Sequence, residues 1–295
     1  MSLITAIEVG KSFGPADIFS NITLSIPQRA RIGLVGPNGV GKTTLLRILL
    51  GLDEPSSGEV QRAKNIRIGY LPQEAIFESQ GTLWEEVQRP FAGLLDLQAE
   101  MAALEAAMAD PGRAEEALAT YGKLQLQFEH QGGYTYETRI RQTLTGLGFT
   151  TVDEKRPMSQ LSGGQRTRAL LARLLLSEPD VLMMDEPTNH LDIAAIEWLE
   201  DFLADWPGAV LIASHDRYFR DRVTNVIWEM TPALEIYHGN YTAFLQQREE
   251  RYARRLEEYE AQQAFILKEE AYIRRNMAAH NTRQAQGRQK RLERM

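Results

Sequence analysis

Gly36-Pro37-Asn38-Gly39-Val40-Gly41-Lys42-Thr43-Thr44 fits the pattern G-x-x-x-x-G-K-[ST], that of a phosphate-binding loop. The residue types have physical reasons. Gly36, Gly39 and Gly41 let the backbone approach an anion closely, in conformations closed to other residues. Successive N–H groups along the loop, from Asn38 to Thr44, then converge on phosphate oxygens. Lys42 supplies a point charge for β/γ-phosphates, and the Thr43 hydroxyl is placed to ligate Mg²⁺. The flanks agree. Residues 30–35 (A-R-I-G-L-V) read as a buried strand and residues 44–50 (T-L-L-R-I-L-L) as a helix. The partial positive charge at that helix's N-terminus faces the phosphates.

Other residues fall where such a loop needs help. In open α/β sheets, ligands bind beyond the carboxyl ends of the strands. Residues 66–71 read as a strand followed by Pro72-Gln73, so Gln73 can help hold the metal or the attacking water. Val181-Leu182-Met183-Met184 is an apolar run that ends in Asp185-Glu186. A run without alternation is a strand buried on both faces, so both acids emerge beside the loop. Asp185 can hold Mg²⁺, directly or through water, while Glu186 suits deprotonating a water in line with the γ-phosphate. Residues 209–213 form a last buried strand, and His215 follows it on the ligand side. Leu161-Ser162-Gly163-Gly164-Gln165 opens a further helix, with Ser162 as N-cap and glycine N–H groups exposed to an anion. Phe13 lies on the strand side of the loop and reads either as a ring stacked on a nucleobase or as a core residue.

The remaining chain is organised around this. Leu3–Val9 reads as a strand, and residues 22–26 alternate before Pro27. From residue 82 to 145 the β pattern stops. Leu94, Leu97, Met101, Leu104 and Met108 step at 3-4 spacing, and Leu118, Tyr121, Leu124 and Phe128 make a second stripe. The reading is an inserted helical hairpin over about 92–130, with Asp110 capping the second helix and Pro111 in its first turn. After Tyr241 comes a long helix with a heptad-like stripe, interrupted at residues 276–281.

Composition bounds the class. With 295 residues the chain can bury a full α/β core with a smaller second element. It contains no cysteine, which excludes disulfides, thiolate chemistry and Cys-based metal sites and is compatible with a cytoplasmic setting. No apolar run approaches a bilayer span, and the first residues do not form a signal peptide. The net charge of −7 is uneven: residues 271–295 hold seven basic residues and one acid, a net +6 against −13 elsewhere. An acidic body with a basic tail points to a localised polyanion contact.

In order and spacing, Gly36–Thr44, Gln73, Leu161–Gln165, Asp185-Glu186 and His215 resemble the Walker A, Q-loop, signature, Walker B and H-loop of ATP-binding cassette ATPases over about residues 1–240. Phe13 matches that family's adenine-stacking position. Glu186-Pro187-Thr188-Asn189-His190-Leu191-Asp192 resembles the E-P-T-N-H-L-D of the ABC-F proteins, whereas transporter cassettes more often carry S-A-L-D. The resemblance implies an α/β P-loop NTPase cassette with an inserted helical subdomain (about 82–160) and arm hairpin, then a helical linker over 241–295. It also implies ATP and Mg²⁺ as cofactors, with Lys42, Glu186, Gln73 and His215 in catalysis and Thr43, Gln73 and Asp185 toward the metal. Ser162, Gly163, Gly164 and Gln165 would complete the site of a second cassette, in a missing half or a homodimer. In ABC-F proteins the linker reaches the ribosome near the P-site transfer RNA, and the arm contacts the large subunit near the exit site. Arg274, Arg275, Arg283 and Arg288 are therefore expected to meet ribosomal RNA. One motif of each kind is present, so the chain is expected to be half of a two-cassette protein or a truncated product. An ATPase subunit of a membrane transporter is the alternative.

Overall fold

The structure, a computed structural model, describes residues 2–73, 81–110, 112–231, 233–278 and 282–292. The chain divides into two units, Met1–Tyr241 and Thr242–Met295.

In the first unit β1 (Ser2–Phe13) and β2 (Ala16–Pro27) pair antiparallel. β3 (Arg31–Val35) leads into the loop and then α1 (Lys42–Leu50), and β4 (Ser57–Arg62) returns to pair with β1. β5 (Ile68–Leu71), β6 (Val181–Asp185), β7 (Ala209–Ala213), β8 (Val226–Met230) and β9 (Leu234–His238) join β3 in a second sheet, in the order β5-β6-β7-β3-β8-β9. β5, β6, β7, β3 and β8 run parallel, and β9 closes the edge antiparallel. Every residue of β6 and β7 is buried. Strand alternation sends Val181 and Met183 to a core shared with α1 and the antiparallel sheet. Leu182 and Met184 go to the opposite core, under the helical segment. An unbroken apolar run is what two covered faces demand, and each such side chain contributes about 1.5–3 kcal/mol when fully buried. The acids at its end are held in place by this packing.

The helical segment comprises α2 (Leu83–Gln88), α3 (Ala92–Ala107), α4 (Ala114–His130), α5 (Tyr136–Gly146) and α6 (Gly163–Leu176). α2 opens with a capping box between Thr82 and Glu85. Its Glu86 is fully buried and pairs with Arg89 at 3.0 Å and with Arg173 of α6. Removing one partner of a buried pair leaves an uncompensated charge, so these contacts fix α2 against α6. The hairpin of α3 and α4 buries Leu94, Met101 and Phe128. Two expectations fail here. Leu118 is 63% exposed and Ala117 takes the buried position, because the step back from Tyr121 is four residues, not three. Asp110 does not cap α4, which begins only at Ala114. Its carboxylate instead accepts the Gly112 N–H at 2.9 Å, in the turn between the helices, and Pro111 lies outside the described residues.

α7 (Ile193–Ala204) follows β6 and α8 (Arg217–Val223) follows β7, capped by Asp192 and Asp216. α7 presses Trp198 against the end of α5, where a Cβ on Gly146 would stand 2.1 Å from the indole. A packed indole cannot move aside as a flexible chain end can. Gly146→Ala is therefore expected to destabilise the fold by about 1–3 kcal/mol, read as a lower denaturation midpoint at constant m-value.

α9 (Tyr241–Ala278) begins at the last residue of the first unit, and α10 (Thr282–Leu292) follows it. The interruption expected at 276–281 does not begin at 276, since α9 continues through Ala278; residues 279–281 lie outside the described ones. Tyr252 and Tyr259 of the heptad-like stripe are exposed, as are Leu245 and Leu256. Among the described residues no helix is long and apolar enough to cross a membrane.

Candidate functional site

A cleft of about 510 Å³ opens at the carboxyl ends of the parallel strands. β3 delivers the glycine-rich loop to it, β5 delivers Gln73, β6 delivers Asp185 and Glu186, and β7 delivers His215. Asn38, Gly39, Gly41, Lys42, Thr43 and Thr44 line it from the loop side. Gly36 sits behind them, and a Cβ there would stand 2.3 Å from the Met230 carbonyl oxygen. Gly41 has a φ of +99°, and its Cβ would stand 2.6 Å from Ile18. The second glycine thus serves both a left-handed conformation and close packing on β2. A larger groove of about 740 Å³, beside α5 and α7, has Trp198 and Phe202 in its wall and shares no residue with this cleft. It carries no acid pair and no anion-ready loop, so the smaller, more polar cleft is the candidate site.

The Lys42 ammonium donates to the carbonyls of Gly36 at 2.9 Å and Pro37 at 3.0 Å, which holds it over the loop. Burial pulls its pKa below that of an ordinary lysine, and the negative charges of Glu186 and Asp185 act in the opposite sense. Thr43 Oγ1 donates to Asp185 Oδ2 at 2.6 Å, and Asp185 is only 4% exposed. Burial first, and the Asp185 charge second, push the nearby Tyr70 up to about 12. A hydroxyl, a buried carboxylate and the Gln73 carboxamide are all hard oxygen donors. Such a set fits Mg²⁺, which takes few protein ligands and keeps waters and substrate phosphates.

Glu186 has a φ of +53°, a left-handed conformation that is strained for a residue with a Cβ. Its N–H donates to the Ala213 carbonyl at 2.7 Å, so the chain turns out of β6 while still tied to β7. The turn aims the carboxylate at the loop after β7. Oε2 accepts the His215 N–H at 3.2 Å, and Oε1 lies 3.7 Å from His215 Nε2. The His215 side chain is 64% exposed, whereas that of Glu186 is 10% exposed. A sheltered carboxylate beside an exposed imidazole can accept a proton from a water and orient it.

The structure keeps the helix start at 162–165 out of this cleft. Ser162 Oγ accepts the Gln165 N–H at 3.3 Å, and Gln165 Oε1 accepts the Ser162 N–H at 3.0 Å. The Gln165 carboxamide oxygen is therefore occupied by the cap. Gly164 has a second constraint, since a Cβ there would stand 2.9 Å from the His190 Cβ. Phe13 is 57% exposed, which removes the core alternative. The Lys11 ammonium lies 5.2 Å from its ring centroid, and Phe13 is not part of the cleft wall. In the second unit, Arg274 and Arg275 are exposed. Arg288 is not a free cation: it pairs with Glu269 at 2.8 Å and stacks on Tyr272 at 4.1 Å, tying α10 to α9. The Arg283 side chain lies outside the described ones.

Sequence reasoning assigned no role to Ile18 or Asn189, which line the cleft, or to Arg220 and Tyr241, which lie behind His215. Asn189 stood in a quoted motif. The other three carry no signal, because only the fold brings them there.

The family described as "ABC transporter" matches residues 19–189, and a second model with the same description matches 232–295. The chain is 45% identical to the putative ATP-binding protein YdiF of Bacillus subtilis (strain 168), over 100% of this chain and 47% of that protein. It is 37% identical to the energy-dependent translational throttle protein EttA of Escherichia coli (strain K12), over 92% of this chain and 49% of that protein. It thus spans about half the length of these relatives. A solved ATP-binding subunit of an ABC transporter superposes with a TM-score of 0.60 at 18% identity, over 80% of this chain and 90% of that one, which speaks for the fold alone. With the matched model covering the loop, the signature helix and both acids, the chain belongs to the ABC transporter family and carries its ATP-binding ATPase cassette.

Proposed function

We propose that this chain is an ABC-F-type cassette that binds ribosomes and uses ATP binding and hydrolysis to modulate translation in the cytoplasm. The observation that carries this reading is the similarity to a protein named a translational throttle. A match over 92% of the chain necessarily runs past Tyr241 into the helical second unit. The E-P-T-N-H-L-D stretch at 186–192 supports it.

The cleft residues divide the chemistry. Asn38, Gly39, Gly41 and Thr44 cradle the phosphates through backbone N–H groups, and Lys42 places a cation on them. Thr43, Asp185 and Gln73 would hold Mg²⁺, which would supply charge neutralisation on the phosphate oxygens. Glu186 takes the proton of a water attacking in line, and His215 and Gln73 orient that water. Phe13 offers an exposed ring to the base. Ser162, Gly163 and Gly164 complete the site of a second cassette, in the other half of a longer protein or in a second copy. This agrees with their position outside their own cleft.

The basic tail is the RNA-facing part, through Arg274 and Arg275. The arm hairpin enters differently. Residues 92–130 carry seven carboxylates against one Arg and one Lys, so any ribosomal contact there falls on something other than phosphate. The test is sedimentation of the purified chain with ribosomes or with membrane vesicles, with and without ATP. Nucleotide-dependent pelleting with ribosomes is expected. Retention on vesicles alone would favour the energy-coupling subunit of a transporter.

A further inference from the structure

Arg220 and Tyr241 belong to neither the phosphate loop nor the acid pair, yet they stand directly behind His215. Arg220 is only 6% exposed, on α8. Its Nε donates to the Asp216 carbonyl at 3.1 Å and its Nη2 to the His215 carbonyl at 3.5 Å. The opposite side of the contact is aromatic: the guanidinium carbon lies 3.9 Å from the centroid of the Tyr241 ring. Burial disfavours the Arg220 charge; the Tyr241 hydroxyl, through its charge interaction and a hydrogen bond to the guanidinium, and then Glu186 offset that penalty. On the cleft side the same loop is held by the bond from the His215 N–H to Glu186. A continuous chain of contacts therefore runs from Glu186 through the His215 backbone and Arg220 to Tyr241, the residue at which α9 begins.

We infer that Arg220 and Tyr241 are a positioning pair, in which Tyr241 clamps the Arg220 fork and the fork sets the loop that presents His215 to the cleft. The planar guanidinium is suited to this, since it bonds two successive carbonyls in its plane while stacking through its face. An ammonium could do only one of these. The consequence is that Tyr241, the last residue of the first unit, and the orientation of His215 form one mechanical element. A displacement of Tyr241 alters hydrolysis without touching nucleotide. This rests on the role given above to His215 in ATP hydrolysis.

The experiment is a double-mutant cycle on the 295-residue chain, read in single turnovers with the chain in excess over ATP·Mg²⁺. Tyr241→Leu keeps an apolar side chain and removes both the ring face and the hydroxyl that meet Arg220. It is expected to slow turnover about tenfold with ATP affinity within about twofold, the split of a loss confined to the reacting state. Tyr241→Phe keeps the ring face, removes only the hydroxyl's hydrogen bond to Arg220, and is expected to restore most of the turnover. In the His215→Ala background, Tyr241→Leu should add less than about twofold, because its route of action is gone. Amide exchange over residues 213–219 should accelerate in Tyr241→Leu and not in Tyr241→Phe. Should Tyr241→Leu lose its fold, Arg220→Lys takes its place in the cycle, with the same loss expected. Equal losses in both backgrounds, or wild-type turnover in Tyr241→Leu, would overturn the pair's role and leave the ATPase reading standing. Wild-type turnover in His215→Ala would remove the role of His215, and that of the pair with it.

Discussion

Glu186→Gln is expected to keep ATP bound and to slow hydrolysis by about 10²- to 10⁴-fold, the contribution of a positioned general base. The substitution is close to isosteric. A carboxamide oxygen can still accept the His215 N–H that Glu186 Oε2 now accepts at 3.2 Å. The left-handed turn at 186 is backbone geometry anchored by the Ala213 carbonyl, and it does not depend on the carboxylate charge. Lys42, Thr43 and Asp185 keep their places, including the 2.6 Å contact between Thr43 and Asp185. What disappears is a basic oxygen and a negative charge beside the phosphates. ATP affinity should therefore stay level or tighten, because a like charge has been removed from the cleft. Nucleotide binding and single-turnover hydrolysis on the same preparation separate the two effects. Turnover at the wild-type rate would move the base to another residue.

The legible part of this cleft was the part that parallel-sheet geometry makes unavoidable. A buried apolar strand must end at the ligand side, so V-L-M-M-D-E located Asp185 and Glu186, and A-V-L-I-A located His215. Side chains that depend on local twist were not legible. Nothing in E-P-T-N-H states that Glu186 adopts positive φ, yet that turn is what brings its carboxylate to His215. Contacts between distant segments were equally hidden. Arg220 and Tyr241 are 21 residues apart and meet only because β8 and β9 return the chain across the sheet. The arm shows a limit of a different kind. An alanine at 117 fills the buried position that a leucine at 118 seemed made for, since phase along the helix outranks side-chain size.

Exchanging Arg274 and Arg275 together for Glu is expected to remove most of the salt-sensitive part of ribosome binding. Both side chains are exposed near the end of α9, and they lie in the segment that carries the net +6. A cation that neutralises a phosphate releases condensed counterions, so log affinity falls with log salt by about 0.9 per contact on B-DNA. If folded RNA behaves similarly, two contacts give a slope of about −2, and the double exchange should flatten it by about that amount. Arg288 supplies the control that the charge count alone could not. Its guanidinium is engaged by Glu269 at 2.8 Å and by the Tyr272 ring at 4.1 Å. Arg288→Gln should leave the slope unchanged while loosening α10 on α9, visible as faster amide exchange in α10. ATP affinity should match wild type in every variant, because the phosphate loop, Asp185 and Glu186 all lie in the first unit. The measurement is ribosome pelleting across a salt series paired with nucleotide binding. An unchanged slope in the Arg274/Arg275 double variant would make the basic tail a solvated helix and move the RNA contact elsewhere. A slope that follows Arg288 instead would mean that the tail presents its charge through the paired form of α9 and α10.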